Sequence, residues 1–209
     1  MREPRTHLHD GRARILAAAL DIFAIAGFEG SSLRQIAQHG GVQHQLVVYH
    51  FKSKDALWRQ VVASIFEEAS QEQGLSYWAD RVRLAGPADA LRERLRAFAL
   101  FTAKRPELHR LLSFEGHADS DRLTWLLETF VRPHYEISTG AIRAAQDAGV
   151  ARAGDPGRLH YAVIGVITTS LVFANEYRRM TGIDPFLPAE VEKAANLAAD
   201  LLGLPPAGG

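Results

Sequence analysis

Gln43, His44, Gln45, Leu46, Tyr49 and His50 crowd donors, acceptors and aromatic edges into one short segment whose remaining apolar residues, Val47 and Phe51, stand four apart. On a helix that spacing turns Val47 and Phe51 inward and the polar set outward, a surface able to bond base edges in a DNA major groove. Upstream, Ser32 and Gln35 have capping-box spacing, which would satisfy two helix N–H groups, and Gly40-Gly41-Val42 supplies a turn with an apolar anchor beneath it. Two short helices joined this way have the proportions of a helix-turn-helix. Spacing alone fits an ordinary helical hairpin with polar outer faces equally well.

Other residues invite other chemistry. His7-x-His9-Asp10 has the spacing of metal ligands, but a flexible tail lacks the surrounding groups that orient such ligands, so no metal is expected. A helical enzyme would draw on Glu115, His117 or His134 as acid and base; no Gly-x-Ser-x-Gly, His-Glu-x-x-His or phosphate-loop pattern accompanies them, and neither an enzyme nor a cofactor is expected. The absence of cysteine excludes a disulfide scaffold, a thiolate metal site and a cysteine nucleophile, and it fits a reducing cytoplasm.

The elements that must hold these residues are helical throughout. A first helix is expected from about Arg12 to Ala26, with Gly27 as a left-handed stop, followed by a short helix from Ser32 through His39 and another over Gln43–His50. Ser53 can cap a fourth helix beginning near Lys54. Beyond a weakly periodic stretch between Gly74 and Pro87, helices are expected over Ala88–Lys104, Pro106–Glu115, Asp121–Ala148 with a break at Pro133, Pro156–Met180 and Pro188–Leu202. The fold class is therefore all-α. Residues 1–10 read as a flexible arm, 11–58 as a small helix-turn-helix domain, 59–203 as a larger helical domain and 204–209 as a tail.

The 209 residues carry 24 Lys+Arg against 24 Asp+Glu, yet residues 1–60 hold 8 basic and 5 acidic side chains and 5 of the 9 histidines. That excess points the N-terminal end at a polyanion. No apolar run follows Arg2 and Arg5 to make a secretory signal, and the longest apolar stretch, Ala162–Ala174, is short for a membrane span, so no membrane partner is expected.

Phe28 to Trp58, FEGSSLRQIAQHGGVQHQLVVYHFKSKDALW, resembles the DNA-binding domain of the TetR (tetracycline-repressor) family. The matching features are Ser32, Ile36-Ala37, Gly41-Val42, Tyr49-His50-Phe51, Ser53-Lys54 and Leu57. The resemblance implies a DNA-binding regulator, most simply a repressor, whose palindromic operator is double-stranded DNA. Ser32 matches a cap that meets a phosphate, and Arg34 a residue that reaches a base or phosphate. Gln43, His44, Gln45 and Leu46 match recognition positions, Tyr49 and His50 backbone contacts, and Lys54 a phosphate contact at a helix start. Val48 departs from the family's usual tyrosine, and Gln43 from its usual small hydroxyl residue.

The same resemblance implies a homodimer built by the last two long helices and a small, mostly apolar effector. Leu159–Ala174 is apolar or small around nearly its whole circumference, and Val191, Ala194, Ala195, Ala198, Leu201 and Leu202 form a stripe; a monomeric bundle would also bury both. Leu171 and Leu201 are the positions expected in the dimer contact. Candidate effector contacts are Phe98, Phe101, Phe114, His117, Trp125, His134, Tyr161, Thr168, Phe173, Asn175 and Tyr177, although any one aromatic taken alone is better explained as core filling.

Overall fold

Local signals start and stop the helices of the N-terminal region. In the computed structural model, which describes residues 5–72 and 84–206, helix α1 spans Arg5–Ala26. It ends where Gly27 adopts φ +67° and donates to Phe23 O at 2.9 Å. α2 (Leu33–His39) is capped by Ser32, whose Oγ accepts from Gln35 N at 3.2 Å. α3 (His44–Phe51) follows the glycine turn, and α4 (Lys54–Glu72) is capped by Ser53, whose Oγ accepts from Ala56 N at 3.1 Å.

Two expectations at this end are corrected. The first helix begins at Arg5 rather than near Arg12, so residues 5–10 are helix rather than an arm. Gly11 is tolerated inside it because it lies against Leu46: a Cβ there would stand 3.0 Å from Leu46 Cδ2. The capping box is half made. Gln35 Oε1 accepts from the Ser32 hydroxyl at 2.8 Å instead of closing on a backbone N–H.

The remaining helices are α5 (Pro87–Lys104), α6 (Pro106–Glu115), α7 (Asp121–Leu126), α8 (Arg132–Asp147), α9 (Pro156–Val172), α10 (Ala174–Thr181) and α11 (Pro188–Leu201). Two of the long helices expected from sequence are interrupted. Leu127–Val131 is a π-helical segment closed by Arg132 N–H on Leu127 O, directly before Pro133, which has no N–H to continue the ladder. Pro156–Met180 breaks at Phe173 with a bend of 79°. Near that break Thr169 Oγ1 donates back to Gly165 O at 2.6 Å, the hydroxyl back-bonding that bends helices. No single described helix is long and apolar enough to cross a membrane.

The chain divides into two units, Met1–Glu68 with Arg110–Ser120, and Ala69–His109 with Asp121–Gly209. The first therefore extends past residue 58, because Leu57, Trp58, Val61, Val62, Ile65 and Phe66 of α4 are buried. In it α1, α2 and α3 pack on one another. In the second, Leu91, Leu95, Ile142, Val163, Ile167, Val191 and Ala198 meet in one core contributed by α5, α8, α9 and α11. Leu204 joins that core, so the tail starts later than expected: its N–H bonds Ala199 O at 3.1 Å and its side chain is buried. Leu171 is only 2% exposed within the single chain, which makes it a core residue rather than a dimer contact.

Candidate functional site

The turn between α2 and α3 is held from α1. Gly40 O accepts from Arg14 Nη2 at 2.7 Å and Gly41 O from the same nitrogen at 2.9 Å. Gly41 has φ +60°, and a Cβ there would lie 2.8 Å from that guanidinium, so both the backbone angle and the space require glycine. Gly40 is as tightly placed: its Cβ would stand 3.1 Å from the Ala18 Cβ. Val42 N–H returns to Ala37 O at 2.9 Å. Composition drew attention to Arg2 and Arg5, whereas Arg14 holds the turn; only its place one helix away from a Gly-Gly pair could have signalled it.

This frame buries Val47 and Phe51 and leaves Gln43, His44, Gln45 and Tyr49 exposed along α3. Arg34 is exposed on α2. Leu46 lies against Gly11, which limits how far it can project. His50 is also half-buried: its ring stands edge-on to Tyr49 at 5.2 Å and tilted against Phe51 at 6.0 Å, and its Nε2 is buried without a hydrogen-bond partner. The Ser32 hydroxyl is engaged with Gln35.

Lys54 is placed differently from the expectation of a phosphate ligand. Its Nζ donates to Phe28 O at 2.8 Å and to Ser31 O at 2.9 Å, and it stands 4.1 Å from the centroid of the Phe28 ring. The ammonium thus closes the loop between α1 and α2, with two of its three donors directed at protein carbonyls. Sequence reasoning missed Lys52, the C-cap of α3. It is exposed, adopts φ +65°, and holds its ammonium 5.5 Å from the Tyr49 ring. A basic residue directly after the recognition segment was the available signal.

Residues 15–61 match the family described as "Bacterial regulatory proteins, tetR family". That match covers the helix-turn-helix region of the chain. It is 27% identical over 176 residues to the HTH-type transcriptional regulator RutR of Escherichia coli K12, covering 80% of this chain and 77% of RutR. Over 105 residues it is 30% identical to the HTH-type transcriptional repressor NicS of Pseudomonas putida, covering 50% of this chain and 48% of NicS. Its fold is shared with the TetR-family regulator PfmR from Thermus thermophilus, with a TM-score of 0.66 at 21% identity over 93% of this chain and 97% of PfmR. By that region and these relatives the chain is a DNA-binding regulator, and the relatives are transcriptional regulators rather than enzymes.

The candidate effector residues do not form one group. Phe114 and His117 belong to the first unit, where Phe114 Cδ1 would lie 3.0 Å from a Cβ on Gly27. In the second, Tyr161, Phe173 and Asn175 are exposed, with Tyr161 at 64%, while Phe101 and Thr168 are buried and Phe98, His134 and Tyr177 half-buried. Trp125 pairs edge-to-face with Phe130 at 5.3 Å. Phe98 pairs with His109, a residue the sequence did not single out, at 5.5 Å, and His109 Nε2 lies 3.3 Å from Thr102 Oγ1. His160, also missed, lies edge-on to Tyr135 at 5.1 Å with its Nδ1 2.9 Å from Ser138 Oγ. Nothing in the spacing marked either histidine. The His7-x-His9 pattern lies outside the described side chains, and among the described residues no acid, His or Cys cluster could hold a metal ion.

Burial pushes the His109 imidazole down from 6.5 to about 4. Burial and then the charge of Arg94 hold His160 at about 4 as well, and the same two causes lower His134. In the unfolded chain these rings take a proton near pH 6.5, so between about pH 6.5 and pH 4 the unfolded state binds more protons than the native one. Their stabilising effect is complete above that window and is lost as pH falls through it. The melting temperature should drop on acidification from about pH 7 to about pH 5, and the drop should shrink in His109→Phe; a level profile would contradict the buried neutral rings. A second test addresses Lys54. Lys54→Met should lower unfolding free energy by about 1–3 kcal/mol in denaturant melts while leaving the salt slope of DNA binding unchanged. Unchanged stability with a flatter slope would return Lys54 to phosphate binding.

Proposed function

We propose that the protein is a homodimeric repressor that binds a palindromic operator on cytoplasmic DNA and is released from it by a small-molecule effector held in the larger helical unit. The observation that carries the DNA side is the Arg14-held turn, which presents Gln43, His44, Gln45 and Tyr49 together on an otherwise anchored helix. Gln43, His44 and Gln45 read base edges; Tyr49, Arg34 and Lys52 meet the backbone, with Lys52 supplying the charge first assigned to Lys54. Leu46 adds an apolar contact at the edge of the surface, and His50 and Ser32 act mainly by positioning.

Dimerisation follows from the limited reach of one short helix, which contacts few bases, whereas two related by a two-fold axis read a palindrome. The surface available for it is exposed and apolar on helices that pack on each other. Tyr161, Gly165 and Thr169 recur every four residues on the outer side of α9, and Leu197 is 58% exposed on α11. Release by an effector requires unequal affinity for the DNA-binding and released arrangements.

Selection of bound duplexes from a random library should return palindromes. On the selected site, Lys52→Ala should flatten the logarithmic salt slope by about one unit with little change in base preference, whereas Gln45→Ala should relax preference at one position by about 1–3 kcal/mol. Sequence-independent binding, or no binding at low salt, would overturn the DNA reading. Sedimentation tests the dimer. Leu197→Asp should yield a monomer with near-normal melting temperature and weakened operator binding, whereas Leu171→Asp should destabilise the fold at every protein concentration. A wild type that sediments as a monomer at micromolar concentration would refute the constitutive dimer.

A further inference from the structure

The segment from Gln43 to Phe51 contains no Arg, Lys, Asp or Glu. Gln43, His44 and Gln45 are exposed at the start of α3, and among the described residues no hydrogen bond or ion pair engages their side chains. Val48 is exposed three residues after Gln45, on a neighbouring part of the same helix surface. It has no polar side-chain atom, and its branched Cβ restricts its two methyl groups to few positions. The cations around α3 are committed elsewhere. Arg14 holds the carbonyls of Gly40 and Gly41, and Lys54 holds those of Phe28 and Ser31. Arg12 donates to Gln60 Oε1 at 2.7 Å and lies 5.5 Å from the centroid of the Phe51 ring, while Arg59 donates to Asp55 Oδ2 at 2.7 Å. Arg34 stands on α2, and Lys52 follows the last turn of α3 with its ammonium near the Tyr49 ring.

The leading residues of a recognition helix are the ones that meet base edges. In the major groove each base asks for a different partner. Guanine O6 and N7 take a cationic donor pair and cytosine N4 takes a carboxylate, whereas adenine N6 and N7 take a side-chain amide and the thymine methyl takes an apolar group. The outer surface of α3 lacks both groups that select G·C and carries both that select A·T. His44 does not reverse the balance, because its two ring nitrogens point apart and only one can face a base edge. We propose that the core of each operator half-site is A·T, with Gln45 bonding an adenine through N6 and N7 and Val48 packing on the methyl of a neighbouring thymine. The Gln45 side-chain carbonyl accepts from N6–H, and its amide N–H donates to N7. The proposal rests on the reading of α3 as a DNA-recognition helix and names the bases it takes.

The test uses the full chain and the duplex it selects from a random library. Single adenines of the half-site are replaced by 7-deazaadenine, which removes the N7 acceptor and keeps base pairing, and single thymines by uracil, which removes only the methyl. At one position per half-site the deaza base should weaken binding by about five- to a hundredfold, and uracil at an adjoining base pair by about fourfold. The first loss should vanish in Gln45→Ala and the second in Val48→Ala. Both variants should melt close to the wild type, because the truncated side chains are exposed. Residues that merely shaped the helix would weaken all duplexes alike and leave both losses in place. Selected half-sites with G·C at the core, or losses that survive in the variants, overturn the A·T assignment and leave DNA binding standing. A protein that binds no duplex at low salt overturns both.

Discussion

One arginine and one left-handed glycine set the geometry on which the N-terminal unit depends. Arg14 reaches from α1 to the carbonyls of Gly40 and Gly41, so the orientation of α3 is tied to α1 through two charge-assisted hydrogen bonds and not through apolar packing alone. A side chain at Gly41 would add the strain of a positive φ, about 1–2 kcal/mol, to a collision with the same guanidinium. The arginine is exposed, so its contribution to overall stability is modest; what it fixes is direction. A recognition helix read by its outer residues tolerates little angular error, because displacing base-edge contacts by an ångström forfeits them.

Lys54 shows the same division between binding and positioning. A lysine at the start of a helix, in a basic N-terminal region, has the charge and location of a phosphate ligand. Here the carbonyls of Phe28 and Ser31 compete for it and win, since the loop between α1 and α2 would otherwise leave acceptors with fewer donors in a partly buried setting. Lys52 nearby is exposed, with its ammonium 5.5 Å from the centroid of the Tyr49 ring.

Legibility in the sequence followed the kind of interaction involved. Helix ends set by local chemistry were readable: the Gly27 stop, the Ser32 and Ser53 caps and the proline starts of α6, α9 and α11 all fall where residue types put them. Helix interruptions set by longer-range registry were not. Pro133 advertised a break, but not that it would be met by a π segment before it; Phe173 carried no breaker residue at all, and its bend follows a run of β-branched and hydroxyl side chains. The exposed side of α3 was visible because a period of 3.6 separates two buried residues from the exposed set, while the limited projection of Leu46 depends on α1 passing close at Gly11.

The second unit was read least well, for a reason rooted in how periodicity works. A hydrophobic pattern identifies the stripe that faces a core, and it assigns Arg94, His109 and His160 to outer faces because they are polar. Those residues leave water only when a third helix covers the angle between two others, as α8 and α9 do around α5, and that event leaves no trace in the pattern of any one helix. Conversely, aromatics such as Tyr161 and Phe173 were read as interior because large apolar surface usually is, yet each points outward in the single chain. Both errors have the same origin: single-helix periodicity judges a residue by its own chemistry, whereas burial is decided by the neighbours that tertiary packing brings. A polar cluster enclosed by amphipathic helices is therefore where structure adds most to sequence.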